Sequence, residues 1–85
     1  MDITRQEQRL LHVLAKGGSI EASRDTRGKL VGVACFTREG WAVERFDIAL
    51  FRKLQRRAAI ASEGGRPCRI TRRGLELTRS RPDNR

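Results

Sequence analysis

The sequence predicts a small α+β domain of winged-helix-like form with an additional N-terminal β-hairpin. Three observations predict it. Helical and strand periodicities alternate along the chain, an amphipathic helix runs straight into a Gly-rich hairpin, and 85 residues suit one domain. A chain this short buries only about 60–65% of the surface its unfolded form exposes, so the core must be shared by nearly every element. The expected domain covers residues 1–81, and Pro82 separates a short tail, 82–85.

The first helix lies within "DITRQEQRLLHVLAKGG". Thr4 and Glu7 have capping-box spacing, so each side chain can meet a free N–H of the first turn. Leu10, Leu11 and Leu14 share one face, while Arg5, Arg9, His12 and Lys16 share the other. Gly17 and Gly18 supply the left-handed stop.

"SIEASRDTRGKLVGVACF" reads as a hairpin that turns at Asp25-Thr26-Arg27-Gly28. Val31, Val33 and Cys35 alternate with Leu30, Gly32, Ala34 and Phe36, which predicts a second strand covered on both sides. "WAVER" is expected to form a short extra helix. Asp47 caps the next helix, on which Leu50, Phe51, Leu54 and Ala58 fall on one side. Arg52, Lys53, Arg56 and Arg57 centre about 150° away, as one outward basic patch.

"IASEGGRPCRIT" predicts a tight second hairpin with Arg66 at its tip and Arg69 on the returning strand. Ile60, Cys68 and Ile70 are its apolar anchors. "TRRGLELTRS" is a last helix capped by Thr71. The aromatics Phe36, Trp41, Phe46 and Phe51 are expected to anchor the core.

The net charge is +9 and unevenly spread. Residues 1–42 hold seven Lys/Arg and five Asp/Glu, whereas residues 43–85 hold twelve and five. Such clustering points to a polyanion or an acidic protein surface as partner. The candidate nucleic-acid- or partner-binding residues are therefore Arg52, Lys53, Arg56, Arg57, Arg66 and Arg69. If all six met phosphates, duplex affinity would fall with salt at a log–log slope of about −5. Gln55 adds one group able to reach a base edge, but the helix carries no Asn and no base-reading pattern.

Other chemistries have little to work with. The N-terminus lacks the apolar run of a signal peptide, and no segment nears the roughly 18 apolar residues of a membrane span, so a cytoplasmic protein is expected. Cys35 and Cys68 form no CxxC, and His12 is the single histidine. No metal and no cofactor are expected, and the two cysteines are expected as buried thiols. One His, no Tyr and ten scattered carboxylates also make an enzyme unexpected.

The fragments "RQEQRLLHVLAKGG", "REG", "LFRKL", "GGRPCRI", "GL" and the terminal "DNR" follow one another in an order and at spacings that resemble the YjhX family over the whole chain. None of them encodes chemistry alone; the resemblance lies in the set. It implies a toxin of a bacterial toxin–antitoxin pair that binds DNA topoisomerase I directly and keeps it from DNA. It also implies an acetyltransferase-like antitoxin. No catalytic residues carry over. Two positions depart from the family pattern: Cys68 stands where an aromatic is expected, and Pro82 breaks a tail that is helical in relatives. A cationic enzyme surface would repel a +9 protein over about 8 Å at physiological salt, so contact would need an acidic patch or the apolar residues near Trp41. The alternative is a winged-helix protein, such as a transcriptional regulator, that binds duplex DNA through its basic helix and wing.

Overall fold

The computed structural model describes residues 3–79. Pro82 and the 82–85 tail lie outside the described residues. The elements run α1 (Arg5–Ala15), β1 (Ser19–Arg24), β2 (Leu30–Phe36), α2 (Ile48–Arg56), β3 (Ile60–Ala61), β4 (Arg69–Ile70) and α3 (Arg72–Arg79). The result is a small α+β domain with three helices and two two-stranded antiparallel sheets, β1–β2 and β3–β4. Helix α2 is followed directly by the β3–β4 hairpin. Between α1 and α2 the chain forms the first hairpin and an irregular segment.

Helix α1 begins with the expected capping box. The Glu7 N–H donates to Thr4 Oγ1 at 3.1 Å, and the Thr4 N–H donates to Glu7 Oε1 at 2.8 Å. The helix ends in a Schellman motif. Gly17, at φ +108°, donates to the Leu14 carbonyl, and Gly18 donates to that of Val13. Gly18 has a second reason to be glycine, because a Cβ there would run into the Phe36 and Val13 carbonyls.

The first hairpin pairs Ser19 with Phe36 and Ile20 with Cys35, and its register shifts at Ser23/Arg24. Its turn is fixed by Asp25, whose Oδ1 accepts from the N–H groups of Arg27 and Lys29, each at 2.9 Å. Burial falls away along the hairpin. Ile20 and Cys35 at its base are buried, whereas Glu21–Arg24 are exposed and Val31 is 56% exposed. The expected cover on both faces of β2 is therefore absent, since the helices pack on the base of the hairpin and on Leu30 but leave most of its length in solvent.

The core is aliphatic: Leu10, Leu11 and Leu14 of α1 meet Ile20, Leu30, Leu50, Leu54 and Ile60 around a single buried ring, Phe51. This corrects the expectation of four aromatic anchors. Phe36 and Phe46 are half-buried, and Trp41 is 73% exposed. The chain leaves the sheet at Thr37, so Trp41 falls beyond the last buried residue of β2. "WAVER" forms no helix. Ala42 instead bridges Phe36 and Val43 donates to the Cys35 carbonyl, which lays this segment along the base of β2.

Helix α3 starts at Thr71, as expected. Its Oγ1 accepts from the Gly74 N–H at 3.0 Å and donates to the Ala58 carbonyl at 2.7 Å. The hydroxyl thus joins the end of α2 to the start of α3. Gly74 lies so close to the Ala59 carbonyl that a Cβ would overlap it.

Candidate functional site

The residues proposed from sequence separate into three groups in space. On α2, the Asp47 carboxylate caps the first turn, its Oδ1 accepting from the Leu50 N–H at 2.9 Å. Leu50, Phe51 and Leu54 then point inward, and Arg52, Lys53, Gln55 and Arg56 are exposed on the opposite side. These four form a polar, basic face.

Arg57 does not belong to that face. It is the C-cap residue, and its guanidinium turns back to α1. Nε donates to Glu7 Oε2 at 2.9 Å and Nη2 donates to Oε1 at 3.2 Å. The Glu7 side chain is 1% exposed and that of Arg57 18%. Burial pushes the Glu7 carboxyl up, but the hydrogen bonds from Arg57 and Thr4 outweigh it and hold the group below its ordinary value. The same hydrogen bond to Glu7 raises Arg57. Arg57 is thus a structural cation that stitches the two helices together, and the expected patch of four basic residues on α2 shrinks to three.

The reason is local. Ala58 takes φ +57° and Ala59 donates to the Leu54 carbonyl, so α2 ends in a second Schellman motif. Arg57 keeps a helical backbone and falls about 20° from Leu50 on the wheel, at the edge of the buried stripe, while the turn sends Ala58 outward. Ala59 takes the core position that Ala58 was expected to fill, and it is fully buried.

Arg66 sits at the exposed tip of the second hairpin, where Gly64 and Gly65 both have positive φ. Arg69 is exposed on β4, and its Nη1 donates to the Gly17 carbonyl at 3.3 Å. It therefore helps close the C-terminus of α1, and only part of its fork remains for a ligand. The hairpin is tied to the first sheet by a bridge between Ile20 and Cys68. Burial raises the Cys68 thiol, against a hydrogen bond with Ser62 and the charge of Arg24. Burial alone pushes Cys35 up to about 11.

Trp41 is the feature whose setting the sequence did not convey. Its backbone N–H donates to Thr37 Oγ1 at 3.1 Å, its carbonyl accepts from the Thr37 N–H at 2.8 Å, and the Gly40 N–H donates to the Thr37 carbonyl at 2.9 Å. A bare indole thus stands on a turn locked by three hydrogen bonds. The segment that carries it, 37–46, has two Arg and two Glu and is neutral in itself, while the α2 face is basic.

His12 is exposed in the basic stripe of α1. Among the described residues, no three His, Cys, Asp or Glu side chains come together as a metal-binding group. No helix among them is long and apolar enough to cross a membrane.

No solved structure matches the chain. It is similar to UPF0386 proteins from three bacteria. Identity is 61% to that of Hyphomonas neptunium, over 99% of both chains. It is 58% to that of Rhizobium etli CIAT 652 and 55% to that of Chelativorans sp. BNC1, in each case over the full length of both. A family profile described as "Putative toxin of bacterial toxin-antitoxin pair" matches residues 1–85, and the chain belongs to this YjhX toxin family.

Proposed function

We propose that the protein is a non-enzymatic toxin that binds bacterial DNA topoisomerase I directly, with Trp41 as its anchor, and keeps the enzyme from DNA. The observation that carries this reading is the exposed indole on its locked, charge-neutral turn. An interface anchor is typically an aromatic side chain that is already ordered, because little entropy is then lost on docking. The neutral segment that carries the indole meets a cationic enzyme surface with less repulsion than the α2 face would. Topoisomerase I is the target that the family resemblance implies, and an acetyltransferase-like protein is the antitoxin it implies.

The test is relaxation of supercoiled plasmid by topoisomerase I at fixed salt. Wild-type protein inhibits at stoichiometric ratio. Trp41→Ala needs about thirtyfold more protein, the equivalent of losing one anchor residue of about 2 kcal/mol. Unchanged relaxation in stoichiometric excess of wild-type protein refutes the proposal.

A second reading, duplex binding by a winged-helix-like protein, is favoured by one observation. Arg52, Lys53 and Arg56 are exposed on α2, and Arg66 is exposed on the hairpin that follows it. In a winged helix, those are the elements that reach groove and backbone.

A further inference from the structure

Ile20 of β1 exchanges two backbone hydrogen bonds with Cys68: its N–H donates to the Cys68 carbonyl at 3.0 Å, and its carbonyl accepts from the Cys68 N–H at 2.7 Å. The pairing goes no further. The next partner for β1 on this side would be Arg66, but its N–H is spent within the hairpin turn on the Glu63 carbonyl at 3.1 Å. A cleft of about 480 Å3 opens between the diverging chains. Its floor is Ile20 and Phe51, both buried, and Gln55 of α2 reaches its side.

The backbone edge in this cleft is open. Hydrogen bonding alternates along an antiparallel strand. Ile20 faces Cys68, Glu21 faces Ala34 on β2, and Ala22 faces the cleft again with its N–H and carbonyl. The two walls carry Arg24 and Arg66, against one acid, Glu21. Arg24 gives one N–H to the Gly28 carbonyl at 3.1 Å, which holds its guanidinium at the rim.

We propose that this cleft receives an extended acidic segment of a partner protein, which adds as a strand to β1 at Ala22 and sets carboxylates against Arg24 and Arg66. An open strand edge is what strand addition uses: backbone bonds give affinity and alternate side chains give specificity. A single nucleic-acid strand fits less well. The one aromatic ring of the cleft, Phe51, is 1% exposed and offers no face for a base to stack on. A second copy of the chain would set the same arginines against each other across a two-fold axis. The proposal does not depend on which enzyme the protein meets, because Trp41 is not part of the cleft.

The experiment titrates the full chain with a short synthetic peptide alternating valine and glutamate, at low salt, and follows backbone amide resonances. The shifts should centre on Glu21–Arg24 and Arg66–Cys68, and exchange of the Ala22 amide should slow. Arg24→Glu and Arg66→Glu, both at exposed positions, should each weaken binding about five- to tenfold. Trp41→Ala should leave it unchanged. Ala22→Pro, which removes the outward N–H, should abolish it while the Gly32 and Val33 resonances show the hairpin intact. The proposal is overturned by absence of binding, by equal binding of the same peptide with lysine for glutamate, by shifts centred elsewhere, or by oligothymidylate occupying these amides more tightly than the peptide.

Discussion

Arg57→Ala tests the assignment of Arg57 to the structure of the domain. The substitution strips the two Arg57 hydrogen bonds from a carboxylate that is 1% exposed and leaves it the Thr4 N–H. Removing one partner of a buried pair costs about 3–5 kcal/mol, and the partial exposure of Arg57 places this case at the lower end. At about 3 kcal/mol, a domain of this size melts about 15 °C lower. Glu7→Gln is milder, about 1 kcal/mol, because the amide keeps a capping oxygen and Arg57 can turn its charge to water.

The pH dependence separates this account from simple loss of packing. Wild-type Glu7 sits below its ordinary value, so its contribution is present above about pH 4.5 and fades as pH falls through the folded value. Without Arg57, only the Thr4 hydrogen bonds oppose burial, so the Glu7 carboxyl rises from its wild-type position. The variant therefore gains less stability than the wild type as pH rises through the carboxylate range. Thermal melts of both proteins from pH 3 to pH 7 should show the gap between them widening with pH. A gap that stays constant across this range refutes the buried-pair reasoning.

Three further outcomes follow from the same geometry. Ala58→Gly should raise stability by about 1 kcal/mol in denaturant titration, because Ala58 holds a left-handed conformation that glycine adopts without strain. On the duplex reading, Arg52, Lys53, Arg56 and Arg66 give a log–log salt slope of about −3.6 in place of −5; Arg56→Ala makes it shallower by about 0.9, whereas Arg57→Ala leaves it unchanged. Cys35, buried and pushed up to about 11, should react with a thiol reagent at pH 7.4 only at the rate at which the protein opens.

Much of the local structure was legible because local chemistry fixes it. Thr4, Asp47 and Thr71 cap the helices that their positions announce, and Gly17 and Gly28 take the positive φ their turns require. The leucines of α1 and α2 kept to one face for the same reason. What could not be read depended on distant partners. Glu7 reads as a capping residue and is one, but its second role needs an arginine fifty positions away. The end of α2 is hidden because Ala58 occupies a left-handed site that alanine rarely takes, so a continued wheel puts Ala58 in the core in place of Ala59; Arg57, beside Leu50 on the wheel, reads as exposed until its partner Glu7 is known. The exposure of Trp41 was hidden too, since an aromatic residue after a strand reads as core until the path of the chain is known. The cleft beside β1 arises from the divergence of two hairpins that are far apart in the sequence.

The most direct measurement of the central claim is calorimetric titration of the protein into topoisomerase I without DNA, repeated with Trp41→Ala. The account predicts a one-to-one complex in the absence of DNA, weakened about thirtyfold by loss of the indole. Association that appears only when DNA is present, and that Trp41→Ala leaves untouched, would contradict it.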